Sequence, residues 1–327
     1  MVKYVAKRIC YIIFVFFLMS IIMFGIFKLV PGDPATMALK GQAKSLSPER
    51  YQILYQKTRV RLGLDKPLPV QYVKWFGKML KGDWGYSEIY RKNVTTVIKD
   101  PMKNSILINI FSVLLTILIA IPIGIVSAVK KNSKFDNVTQ VTTMLGYSLP
   151  TFIIGLVMIF IFCVQFTIFP VSGMNTPGFE GTFFQRFLDI LYHVSLPVIV
   201  MTVGGLGQMI RYVRASMIEA LGMDYIRTAR AKGLTEKVVI YSHAFRNALI
   251  PILTVVIGWF VSVFAGSIVI EQLFSIDGTG KLLISSLQAQ DYNVVMALNM
   301  FYFLVALVGN LITDLSYCLV DPRVKLN

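Results

Sequence analysis

The GTGK stretch at Gly278–Lys281 is the pattern in this chain that comes nearest to a nucleotide site, because a glycine-rich loop ending in lysine can wrap phosphates. A phosphate loop also needs a glycine five residues before Gly280 and Ser or Thr after the lysine, where Ser275 and Leu282 stand instead. The stretch therefore reads as a turn. His193 and His243 are the only histidines and lie far apart, so a metal cluster has little to build on. There is no HExxH, no GxSxG and no carboxylate pair within an apolar run. Cys10, Cys163 and Cys318 lie in or at the ends of apolar runs, which implies no disulfide framework. No enzyme chemistry, metal or cofactor is expected in the chain itself. What remains is a charged, helix-forming insert at Glu219–Pro251, EALGMDYIRTARAKGLTEKVVIYSHAFRNALIP, whose chemistry would be the docking of a soluble partner.

The elements that must hold this insert are apolar. Hydrophobic residues make up 55% of the 327-residue chain. Uncharged runs able to cross a bilayer core of about 30 Å occur at Ile9–Phe27, Ser105–Val129, Tyr147–Phe169, Val194–Ile210, Ala248–Ile270 and Asn293–Thr313. The fourth is the shortest. The stretch from Asn137 to Phe169 exceeds one straight crossing, and Pro150 gives it a place to bend. The reading is an all-α integral membrane protein with six transmembrane helices. It divides into an N-terminal span (1–29), an extracytoplasmic loop or cap (30–104) and a five-helix core (105–327) that carries the docking segment at 214–251.

The net charge of +15 would prompt a nucleic-acid hypothesis in a soluble protein. Here the distribution argues for topology instead, and no nucleic-acid partner is expected. Lys3, Lys7, Arg8, Lys130, Lys131, Lys134, Arg211, Arg214, Arg227, Arg230, Lys232, Lys237, Arg246, Arg323 and Lys325 would share one side of the membrane. The two short opposite loops carry only Arg186 and Lys281. The positive-inside rule then places both termini in the cytoplasm. The first run is too long for a signal-peptide core and no small-residue cleavage site follows it, so it is expected to be retained.

Within the insert, Ile218, Leu221, Tyr225 and Ala229 recur at intervals of three and four and mark one helical face. Gly233 stands where a left-handed C-cap is needed, and Thr235 is placed to cap a second helix with Glu236 in its first turn. A short helix–turn–helix of this kind fits two roles on periodicity alone: a hairpin lying on anionic lipid, or a docking surface for a soluble partner.

Residue identities separate the two. The segment resembles the EAA motif of permease subunits of binding-protein-dependent ABC importers, with Glu219-Ala220, Gly233 and Ile250-Pro251 at the motif positions and Leu221 departing from the wider consensus. DYIRTARAKGL and HAFRNALIP look like the branch that imports di- and oligopeptides and nickel. The similarity extends to VPGDPA (Val30–Ala35), LGLDKPLPVQY (Leu62–Tyr72), GDWGYS (Gly82–Ser87), SLPTFIIG (Ser148–Gly155), EQLFSIDGTGKLL (Glu271–Leu283) and the tail from Tyr317 to Asp321-Pro322-Arg323. Near Asp277 and Thr279 the proline and leucine usual in the family are missing. The resemblance implies the type I importer (MetI-like) permease fold, as the first subunit of a pair, in a bacterial or archaeal cell membrane. It implies a second homologous permease, two ATP-binding subunits that hold ATP and magnesium, and an extracytoplasmic substrate-binding protein. It also implies that Glu219, Ala220, Tyr225, Arg227, Ala229, Arg230, Gly233 and Pro251 carry the ATPase-coupling segment. Peptide is the expected substrate, with nickel or a metal chelate as the alternative.

Other features bear on the path. Asn299, Ala306, Asn310 and Asp314 share one face of the sixth run, which reads either as a pore or gating stripe or as helix–helix hydrogen bonding. Pro122, Pro150, Pro197 and Pro251 permit bends in four successive runs, and Gly204, Gly205 and Gly207 permit close helix approach. The loop at Lys28–Asn104 has enough aromatic content for a small helical cap, a platform for a binding protein or a lid over the pore mouth. The six runs lack Asp, Glu, Lys, Arg and His, which argues against a proton-driven carrier acting alone.

Overall fold

The computed structural model describes residues 2–30, 32–39 and 47–320. Pro31 of the VPGDPA stretch, the expected tail pattern at Asp321–Arg323 and the basic residues Arg323 and Lys325 lie outside the described residues. The helices are α1 (Val2–Leu29), α2 (Pro34–Leu39), α3 (Pro48–Leu62), α4 (Leu68–Leu80), α5 (Val94–Val129), α6 (Lys134–Ser148), α7 (Thr151–Ile159), α8 (Phe183–Leu221), α9 (Asp224–Ala231), α10 (Glu236–Val238), α11 (Arg246–Ser262), α12 (Ile268–Leu273), α13 (Thr279–Gln288) and α14 (Tyr292–Val320). π-helical turns at Phe160–Gln165 and Val239–Phe245 continue α7 and lead into α11. A two-stranded antiparallel hairpin, β1 (Tyr86–Ser87) and β2 (Lys92–Asn93), precedes α5.

Among the described residues, five helices are long and apolar enough to cross a membrane, at Tyr4–Leu29, Val94–Val129, Phe183–Leu221, Glu236–Ser262 and Tyr292–Ser316. A bent pair, Lys134–Ser148 and Thr151–Gln165, with 95° between its halves, is long and apolar enough to make a sixth crossing when taken as one span. The bend falls where the sequence placed it. Pro150 disfavours helical backbone in the residue before it, and Leu149 is extended at φ −85°, ψ 127°. Pro122, Pro197 and Pro251 are instead accommodated inside α5, α8 and α11.

Helix ends differ from the apolar runs in instructive ways. α5 begins at Val94, ahead of the run at Ser105. α8 is 39 residues long, because a capping box between Thr182 and Gln185 starts it well before Val194. The fifth run overreached: α11 stops at Ser262 and the chain turns before α12. The amide of Asn109 donates to the carbonyls of Val263 and Ala265, both at 2.9 Å, so these groups need no helical partner. Gly278–Lys281 is not a free turn, since Thr279 opens α13.

The chain forms two compact units, Met1–Pro101 with Leu282–Leu307 and Met102–Lys281 with Val308–Asn327. In the first, Val94, Leu282, Val294, Ala297 and Leu298 form the core. The Ser87 hydroxyl donates to the Asp291 carboxylate, and the Asn293 amide donates to the Tyr86 carbonyl at 2.8 Å, which ties the hairpin to the start of α14. Burial pushes the Asp291 carboxyl above its ordinary range. In the second unit, one core gathers α5, α8, α9 and α11 around Met209, Val213, Met217 and Ile226, and another gathers α7, α8 and α12 around Leu196, Val200 and Phe274. Gly207 realises the close approach expected of the α8 glycines. A Cβ there would sit 2.6 Å from the Thr143 carbonyl of α6.

Candidate functional site

α8 delivers the chain to the insert and ends at Leu221. Gly222 and Met223 donate to the Glu219 and Ala220 carbonyls at 3.1 and 3.3 Å, and Met223 is extended before α9 begins. This break corrects the single helical face expected through Ile218, Leu221, Tyr225 and Ala229. It resets the phase of the helix, so that Ile226 and Ala229 are buried at 0% and 4% exposure, whereas Tyr225 is 39% exposed. Burial and the Glu219 carboxylate both raise the Tyr225 phenol pKa.

Gly233 closes α9 at φ +76°, the left-handed conformation that a Cβ disfavours. Its N–H reaches the Arg230 carbonyl at 2.9 Å and the Leu234 N–H reaches that of Ala229 at 3.3 Å, which satisfies the helix end. Thr235 occupies the expected N-cap position with extended backbone, but its side chain makes no capping bond. Arg230 instead holds the turn together, donating to both Glu236 carboxylate oxygens at 2.8 and 3.2 Å. Arg227 pairs with Asp224 at 3.6 Å and stays 79% exposed.

The eight expected coupling residues thus fall into two sets. Glu219, Tyr225, Arg227, Arg230 and Gly233 lie on the surface. Ala220 and Ala229 do not, because both pack into the core beneath it. Pro251 is half-buried inside α11, beyond the π-helical turn, and is not part of that surface either.

Two polar constellations escaped sequence reasoning. Asp136 near the start of α6 is fully buried and accepts a bidentate pair from Arg214 of α8, Nε at 2.6 Å and Nη2 at 2.8 Å. Ser127 of α5 and the Asn132 N–H complete its partners at 2.5 and 2.9 Å. The elbow between α5 and α6 is therefore bolted to the helix that feeds α9. Arg214 had registered only as one of many basic residues. The second constellation centres on Glu271 in α12, which is 2% exposed. Its carboxylate accepts from the Ser105 hydroxyl at 2.6 Å and from the Lys281 N–H at 2.8 Å, with the Gly280 N–H as a further donor. A carboxylate at the first N–H groups of α13 complements the helix dipole. Burial nonetheless raises its pKa.

Of the expected pore stripe, Asn299 is half-buried and donates to the Val295 carbonyl of its own helix at 2.8 Å. Asn310 is exposed and Asp314 is half-buried. Gly309, beside Asn310, packs directly on Val261 of α11. A cavity of about 380 Å³ lies among Thr151 and Phe152 of α7, Gly204 and Gly205 of α8, and Ser267 and Ile270. No group of three or more His, Cys, Asp or Glu is placed to hold a metal among the described residues.

Comparison with known proteins gives this architecture a family. Residues 120–326 match the model of the binding-protein-dependent transport system inner membrane component, and residues 1–100 match the N-terminal model of the same systems. The chain is 36% identical over 327 residues to the oligopeptide transport system permease protein AppB of Bacillus subtilis, covering 99% of this chain and 100% of that one. It is 35% identical to the dipeptide transport system permease protein DppB of Lactococcus lactis, with both chains covered in full, and 33% identical to DppB of Escherichia coli K12, covering 99% of each. Among solved structures, the inward-facing MetNI methionine ABC transporter shares the fold, with a TM-score of 0.51 and 15% identity over 68% of this chain and 96% of that chain. In such systems ATP hydrolysis and substrate capture belong to other subunits. The chain is a multi-pass membrane permease that belongs to the family of binding-protein-dependent transport system inner membrane components.

Proposed function

We propose that this permease imports di- or oligopeptides and that α9 with its Gly233 turn is the contact through which ATPase subunits drive it. The substrate reading rests on the relatives, named for oligopeptide and dipeptide transport, that match the chain from end to end. The coupling reading rests on one observation. α9 is anchored from below by buried Ile226 and Ala229 and presents Tyr225, Arg227 and Arg230 outward. A rigid ridge on a packed base can be pushed as a body, which is what conformational coupling needs.

In this reading a second homologous permease completes the pore, two ATPases sit beneath the hairpin, and a binding protein loads substrate from above. Both termini lie in the cytoplasm, and residues 30–104 face the binding protein. Exposed Asn310, and the cavity beside Gly204 and Gly205, face the passage. Gly233→Pro tests the coupling step, because proline cannot adopt φ +76° and lacks the N–H that Gly233 donates. The expected result is a membrane-inserted chain that no longer co-purifies with ATPases and no longer takes up peptide. Full peptide uptake by the variant would overturn the coupling assignment.

A further inference from the structure

The helix α4 sits in the segment that the sequence assigns to an extracytoplasmic loop or cap, yet it packs against the C-terminal half of a membrane span. Tyr72 stacks edge-on against Phe17 and Phe24 of α1 at 6.2 and 5.5 Å, Trp75 meets Phe24 at 5.6 Å, and Phe76 meets Phe17 at 5.7 Å. The Tyr72 hydroxyl shares a hydrogen bond with Ser20 at 2.8 Å, and Lys28 donates to Gln71 at 2.7 Å. At about 1.5 Å of rise per residue, Phe24, Ser20 and Phe17 lie about 8, 14 and 18 Å below Leu29 at the end of the span. Rings on α4 that reach these residues set the helix beside the C-terminal half of α1, below the end of the span rather than beyond it.

The rest of α4 is built for that position. At about 100° per residue, Trp75, Met79, Tyr72, Phe76, Leu80 and Val73 form one broad apolar arc, and Gln71, Lys74, Lys78 and Lys81 occupy the opposite side. α1 covers only half of the arc. Val73 and Leu80, on the uncovered half, are each 66% exposed. The lysine side is open, with Lys78 71% exposed and only loosely paired with Asp83 at 3.8 Å. Apolar side chains toward hydrocarbon, cations at phosphate level and a Tyr–Trp pair at the boundary are the three marks of a helix lying in a membrane surface.

We infer that α4 lies in the bilayer interface at the C-terminal end of α1, with Val73 and Leu80 covered by lipid acyl chains and its lysines against lipid phosphates. That this is the outer leaflet rests on the topology proposed above, whereas the insertion itself does not. The helix braces α1, whose Ile13, Phe14 and Ile21 are exposed.

The test uses the full-length permease in nanodiscs, with Cys10, Cys163 and Cys318 replaced by alanine and a bimane label at Leu80→Cys, Val73→Cys or Lys78→Cys. Brominated phosphatidylcholine should quench the label at positions 80 and 73 several-fold more than at 78, and aqueous iodide should give the reverse order. If Leu80→Cys does not fold, Val73→Cys carries the same comparison. Trp75 fluorescence in a Trp84→Phe, Trp259→Phe background supplies a reading without cysteines, with quenching by lipid brominated near the headgroup expected. Equal quenching by iodide on both faces would show the helix standing in water and overturn the inference. Shielding of positions 73 and 80 from both quenchers would show a protein partner there and overturn it equally. Peptide uptake is no part of the readout, so failure here leaves the transport reading intact and the converse also holds.

Discussion

Between α8 and α11 the chain turns on Gly233, where an added Cβ would meet nothing within 4 Å, and the flanking charges pair on an exposed surface. Between α11 and α13 it turns around Glu271, which is 2% exposed with its carboxylate held by a hydroxyl and backbone N–H groups. The first connection keeps its polar groups outside and its anchors, Ile226 and Ala229, inside. The second turns its polar groups inward and leaves little to offer a partner. A surface built to be grasped should lose function with little loss of stability. A buried joint should lose both together.

The largest stability effect should come from the joint beneath the exposed hairpin. Asp136→Ala strands Arg214, which is only 17% exposed, and removing one member of a buried pair costs about 3 kcal/mol or more. Thermal unfolding of the detergent-solubilised permease should shift downward by several degrees, and an Arg214→Met, Asp136→Leu double variant should recover much of the loss. Recovery of peptide uptake to the same extent would show the joint to be structural alone. Stability without uptake would show that it passes motion from α9 to α5 and α6.

Glu271→Gln should follow at about 1–3 kcal/mol, since an amide can keep only part of the acceptor set. Its pH dependence carries a sign. Burial raises the folded pKa of Glu271 above its ordinary value of 4.5, so the group's stabilising contribution is full below that value and is lost as pH rises through the folded pKa. Unfolding temperature measured from pH 4 upward should therefore fall more for the native chain than for Glu271→Gln. Parallel profiles would mean that Glu271 is not the titrating group.

What could be read beforehand followed local rules. The apolar runs gave the crossings, Pro150 gave the bend, and the order Ala-Lys-Gly-Leu-Thr gave a left-handed Gly233 ahead of a cap position. The break at Gly222–Met223 was missed because the spacing through Leu221 and Tyr225 continues a helical period, and only the packing of Ile226 shows that the phase changes. Asp136 and Arg214 are 78 residues apart and Ser105 and Glu271 are 166 apart. Neither pair shares an element whose periodicity could have joined them. Ala220 and Ala229 were counted as contact residues by motif position, and it took burial to show that they are the floor of the surface.

The smallest expected effect on stability is the sharpest test of the comparison. Arg227 of α9 is 79% exposed and pairs with Asp224 at 3.6 Å in open solvent, a geometry that contributes well under 1 kcal/mol. Arg227→Glu should leave the unfolding temperature within measurement scatter, because surface substitutions away from anchors cost about 0.5 kcal/mol or less. On the proposed coupling role of α9, transport should nonetheless fall steeply, since reversing a charge on a docking surface repels a complementary partner and slows its association. Raising salt should lessen the difference between the variant and native chains by screening the exposed charge. An Arg227→Glu permease with native uptake would show that the ridge is not the surface the ATPases hold. The exposed hairpin and the buried Glu271 turn would then differ in chemistry without differing in role.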